Sequence, residues 1–141
     1  MKARAVEGLE PGGPLRPAAA RIVTVRLAEL RGFADEALRP DASRAQHSMR
    51  IAAKRLRYLL EIFEPCLGEE ARAARDAAKR LQGVLGDLHD CDLMLPRVAA
   101  IDSAEALLRA RREGLFHQFI DLWRSETAKR TWSNLETALR S

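Results

Sequence analysis

A chain of 141 residues, 47% of them apolar, is long enough to build one modest core, which excludes both a disordered chain and a two-domain architecture. The formal net charge is only +4, yet Arg44, Arg50, Lys54, Arg55 and Arg57 stand together between Asp41 and Glu61 with no acidic residue among them. Such crowding of one sign is the footprint of a site for a polyanion, because a surface that needs only solubility intersperses the two signs.

The first 16 residues, with Gly8, Pro11, Gly12, Gly13 and Pro14, hold too little apolar surface to offset chain entropy and read as a flexible tail, so the folded domain is expected over 17–141. Pro17 suits a first helical position, and Val23, Leu27, Leu30, Ala34 and Leu38 then recur at helical spacing until Pro40. Ser43 with Gln46 makes a capping-box pattern opening a second helix, which runs through Phe63 and is closed by Pro65 and Gly68. Glu69 and Glu70 favour the start of a third, carrying Ala74, Ala77, Ala78, Leu81, Val84, Leu85 and Leu88 on one side and expected to end before Pro96. Asp102 with Glu105 suggests a further capping box. Leu108, Leu115, Phe119 and Leu122 follow it, and Trp132, Leu135 and Leu139 continue the spacing in a fourth helix that is long or broken once near Ser125. No segment alternates as a half-buried strand would, so the expectation is all-α, an antiparallel four-helix bundle with short loops.

Cys66 and Cys91 are too few for a disulfide framework and lie in apolar helical contexts, which fits a reducing compartment. The N-terminal MKARAVEGLEPGGPLRP has no apolar stretch resembling a signal peptide, and no run reaches the roughly 18 apolar residues of a membrane span. A cytoplasmic protein without a membrane partner is the expectation.

On the second helix, a turn of about 100° per residue collects Met49, Ala52, Leu56, Leu59, Leu60 and Phe63 on a core face. His47, Arg50, Lys54, Arg57, Tyr58 and Glu61 fall on the opposite side, with Arg55 off to one flank. Arg offers a planar fork for two phosphate oxygens, Lys a point charge, His one or two ring donors and Tyr58 a phenolic donor. Successive turns repeat positive charge every 5 Å or so, a spacing along which a linear phosphate polymer could be laid. Only Arg57 has a carboxylate four residues on, Glu61, to neutralise it.

The stretch HSMRIAAKRLRYLLEIF resembles the signature helix of the conserved-histidine α-helical domain, CHAD, in which a His is followed by Arg three residues on and then by clustered Arg and Lys. AKRLQGVLGDLHDCDLML, residues 78–95, is similar to the family's second signature, with Leu81, Gln82, Leu85, Gly86 and Asp90 in order, and the helix pattern is alike over about residues 17–135. The resemblance implies an all-helical module that binds inorganic polyphosphate, associated with polyphosphate granules and without catalytic activity or cofactor. The family's basic positions fall on His47, Arg50, Lys54, Arg55 and Arg57 and, in the third helix, on Lys79 and Arg80. A full member has two related halves, whereas this sequence matches one, more like the second. A two-fold homodimer would restore the two-lobed arrangement.

Gly83 and Gly86 inside the third helix each cost very roughly 1 kcal/mol relative to Ala, which suggests close approach of a neighbouring helix. Gln82 and His89, seven residues apart, share nearly one line, and Asp90 lies near the face of Arg72, Arg75 and Lys79, where it could hold a basic side chain in place behind the ligand. His89-Asp90 raises an alternative of another class, the HD-type metal-dependent phosphohydrolases, with His47 and Asp102 or Asp121 as further ligands. The positive field around His47 disfavours a divalent cation there. Weak nucleic-acid binding through the phosphate backbone is expected of any basic groove, but with Tyr58 alone for stacking, base recognition has little to work with. Ser43 and Ser48 read as cap and surface, and Asp90 and Asp92 would raise the pKa of Cys91, so no activated nucleophile is visible. His117, Trp123 and Trp132 read as core or edge packing. The sequence thus points to a binding module rather than an enzyme.

Overall fold

Apolar residues at three- and four-residue spacing produce five helices, α1 (Leu15–Ala37), α2 (Ser43–Leu67), α3 (Glu69–Val98), α4 (Asp102–Ala128) and α5 (Thr131–Leu139), in an all-α bundle. The structure, a computed structural model, describes residues 3–9 and 14–141, and among the described residues there is no strand. The expected N-terminal tail therefore falls partly outside the described residues. Within it, the Arg4 N–H donates to Glu29 and the Arg26 guanidinium to the Arg4 carbonyl.

Several helix ends differ from the sequence expectation. α1 starts two residues before Pro17, which then sits in the first turn, where its missing N–H leaves no bond unmade. Pro65 and Pro96 do not end their helices but lie inside the last turns of α2 and α3. The stop between α2 and α3 is Gly68, at φ 84° and ψ −153°, a backbone region essentially closed to side chains. α4 runs past Ser125 and the chain breaks at Lys129–Arg130, with Arg130 left-handed at φ 62°, so the fourth expected helix is two.

Neither capping box forms. Ala42 and Ile101 occupy the N-cap positions, and Glu105 instead pairs with Arg109. Gln46 is buried and turns backwards, its Nε2 donating to the carbonyls of Ala37 and Arg39 at the end of α1.

Helices α1, α2, α3 and α4 pack side by side in chain order, and α5 returns against α1, α3 and α4. The α2 core face is the expected one, with Met49, Ala52, Leu56 and Leu60 buried and Leu59 and Phe63 packed beside them. Ala53 is also buried, and α3 buries a run of alanines, Ala71, Ala74, Ala77 and Ala78. Small side chains on both helices permit a close α2–α3 contact. That contact is the seam on which the basic residues lie.

Candidate anion-binding groove

The basic stripe of α2 does not point straight away from the core, because α2 has a neighbour on each flank. His47, Arg50 and Arg57 are half-buried and turned toward α3, while Lys54 and Tyr58 are exposed. The two helices run antiparallel, and each step forward on α2 meets a step back on α3. The rings of His47 and His89 stack with centroids 4.1 Å apart and planes 18° from parallel. One turn along, the Arg50 side chain passes over Gly86, where a Cβ would stand 3.5 Å from its Nε. Two turns further, Arg57 Nη1 donates to Gln82 Oε1 at 2.8 Å and its Nε to Glu61 at 2.9 Å. Tyr58 lies beneath both cations, its ring 5.0 Å from the Arg57 guanidinium carbon and 5.9 Å from Lys54 Nζ.

The glycines of α3 act differently from expectation. No neighbouring helix closes on either: Gly86 leaves room for Arg50, and a Cβ at Gly83 would meet nothing within 4 Å. The result is two positions of α3 without a side chain, Gly86 beside Arg50 of α2 and Gly83 exposed.

The cations among the described residues divide into paired and unpaired ones; Arg39, Arg44, Arg97, Arg111, Arg124 and Arg130 are unpaired away from the groove, and three more are unpaired beside it. Arg26, Arg31, Arg72, Arg75, Arg109 and Arg140 all face a carboxylate. Arg50, Lys54 and Lys79 have no hydrogen bond or ion pair among the described residues. Three uncompensated cations on facing helices repel one another, and an anion between them would relieve that repulsion.

Two of the expected basic residues lie elsewhere. Arg55 leans to the α1 side, 3.7 Å from the buried carboxylate of Glu29. Arg80 faces α4 and α5, donating at 2.7 Å to Glu126. Burial alone would push the Glu126 carboxyl up, but hydrogen bonds from Thr131 and Arg80 outweigh it and hold the group below its ordinary range. Asp90 is exposed and holds no basic side chain among the described residues. Its neighbour Asp92 takes that part, paired with Arg112 of α4.

Burial is the first cause that lowers the pKa of His47 below its ordinary 6.5, and His89 and Arg50 add to it. Its Nδ1 is buried without a hydrogen-bond partner. Around neutral pH the ring is therefore uncharged and becomes cationic only when acid or an adjacent anion favours the proton.

Among the described residues no three His, Cys, Asp or Glu side chains come together as a metal site. Cys91 is buried, and burial first and then Asp92 raise its thiol pKa. His117, expected in packing, is exposed, 3.9 Å from Glu113, whereas Trp123 and Trp132 do stack, 5.6 Å apart. No helix among the described residues is long and apolar enough to cross a membrane.

Sequence reasoning missed Arg112, the buried Glu29 and the inward turn of Gln46. Arg112 sits in the charge run RARREG, which carries no periodic signal to distinguish it from a solvated face.

A family model described as CHAD domain matches residues 2–99, from the N-terminal segment to the end of α3, and leaves α4 and α5 outside. No curated protein and no solved structure matches the chain.

Proposed function

The chain belongs to the CHAD domain family, known as polyphosphate-binding modules, and from that premise we propose that it binds inorganic polyphosphate along the α2–α3 groove without transforming it. The observation that carries this reading is the set of unpaired cations Arg50, Lys54 and Lys79 on the facing helices, with Gly86 beside Arg50 and Gly83 exposed. A phosphate chain lying there would take charge-assisted hydrogen bonds from Arg50 and Lys54 and from the open part of the Arg57 fork. Tyr58 supports the two α2 cations from below, and Gln82 fixes Arg57. His47 would gain its proton as the anion arrives, with His89 as its stacking partner.

Arg55 and Arg80 contribute through the general field, since each already faces a buried carboxylate. A single groove engages a long polymer on one side only, and a two-fold pair of chains would enclose it. The homodimer belongs to the proposal, as does a cytoplasmic location at polyphosphate granules. Calorimetric titration with long-chain polyphosphate and with orthophosphate, accompanied by light scattering, tests both parts. Binding that grows with chain length, in a complex of two protein chains, is expected. Equal weak binding of both anions would refute the polymer reading, and a mass that stays monomeric would refute the dimer.

A further inference from the structure

One residue outside the family match reaches back to the groove. Arg112 of α4 is 15% exposed and uses its whole guanidinium. Its Nε and Nη2 engage Asp92 of α3, Nη1 donates to the Pro40 carbonyl at 2.8 Å, and Nη2 donates to Gln46 Oε1 at 2.7 Å. Ser43 Oγ stands 3.4 Å from the same nitrogen.

These partners flank the histidine pair on both helices. Gln46 precedes His47, and Asp92 lies three residues, close to one turn, beyond His89. Gln46 in turn holds the end of α1 through Ala37 and Arg39. A fixed five-donor fork is suited to this task, because it locks the relative position of all the groups it bonds. Stacked rings 4.1 Å apart need such a lock, since a shift of α2 along α3 by a fraction of a turn would separate them.

We propose that Arg112 is a positioning residue of the groove: by clamping Gln46 of α2 to Asp92 of α3 it sets the register in which His47 meets His89. The consequence for polyphosphate binding rests on the function proposed above, whereas the consequence for the histidine pair does not.

The test compares the parent chain with Arg112→Ala, Arg112→Lys and, on the same helix, Arg109→Ala, whose guanidinium hydrogen-bonds only Glu105 among the described residues. The readouts are the proton NMR signals and titration of His47 and His89, the helical circular dichroism, and binding of long-chain polyphosphate. Arg112→Ala is expected to keep the helical signal, to displace both histidine ring signals as the stack opens, and to move the His47 titration up toward 6.5. Its polyphosphate affinity should fall about tenfold, the order of loss when a partner supporting a binding group is removed. Arg112→Lys keeps a cation beside Asp92 but loses the fork, and should shift the same signals in the same direction. Arg109→Ala should shift none of them.

Should Arg112→Ala fail to fold, the lysine variant decides. Folded Arg112 variants with the parent's histidine signals and titration would overturn the proposal. A parent that binds no polyphosphate while the histidine signals move as expected would leave the positioning role standing and remove the function.

Discussion

Replacing Arg50 and Lys54 together with Ala separates binding from folding more cleanly than any other change in the groove. Neither side chain has a hydrogen bond or ion pair among the described residues, so no partner is orphaned by its removal. The two stand at i and i+4 on α2, where like charges destabilise a helix by roughly 0.2 to 0.5 kcal/mol, and relieving that offsets the packing lost where Arg50 crosses Gly86. The stability of the double variant should stay within about 0.5 kcal/mol of the parent. Each cation at about 4 Å from a phosphate oxygen contributes about 1 kcal/mol even in a water-like dielectric, so losing both should weaken polyphosphate binding by at least about 30-fold. A polymer resembling a single-stranded polyanion releases about 0.7 counterion per contact, and the log–log salt slope should therefore flatten by about 1.4. Calorimetry at several salt concentrations, beside thermal unfolding, reads all three quantities. Unchanged affinity, or a double variant that unfolds, would refute the placement of these residues.

Other expectations follow from the same structure. Leu56→Ala removes a wholly buried core side chain and should cost about 2 to 5 kcal/mol of stability; a melt like the parent's would contradict the packing. Gly83→Ala adds a methyl group where nothing stands within 4 Å, so it should stabilise the chain by up to about 1 kcal/mol in denaturant titration while weakening polyphosphate binding; tighter binding would rule out contact with Gly83. Because the folded pKa of His47 is lowered, its contribution to stability is fully present above about 6.5 and declines as pH falls below that value, when the unfolded chain takes the proton first. An anion favours the protonated ring, so polyphosphate affinity should change the other way and rise with acidity. Melts and titrations at pH 7.5 and 5.5 check the two signs, and affinity that falls with acidity would remove His47 from the site.

How far the sequence could be read depended on whether an element's surroundings were local. The α2 core face follows from spacing alone, and Met49, Ala52, Leu56 and Leu60 are buried as that spacing requires. The ion pair of Arg57 with Glu61 was equally legible, being one turn apart on one helix. What spacing could not show is which flank of α2 meets α3, and therefore that His47, Arg50 and Arg57 look along a seam rather than into open solvent. Arg55 and Arg80 belong to the same charge clusters as Arg50 and Lys79, and only the fold reveals their carboxylate partners, Glu29 on α1 and Glu126 on α4. Gln46 fitted a capping box in sequence, but a buried amide facing the Ala37 and Arg39 carbonyls at the end of α1 and the Arg112 fork has better partners than its own helix start.

The most direct test of the central claim is the salt dependence of binding to long-chain polyphosphate, measured beside single-stranded and double-stranded DNA under identical conditions. Polyphosphate binding that persists at salt concentrations where both DNAs have dissociated is the predicted result. Equal affinities that fall together as salt rises would show the groove to be a general basic surface and contradict the account.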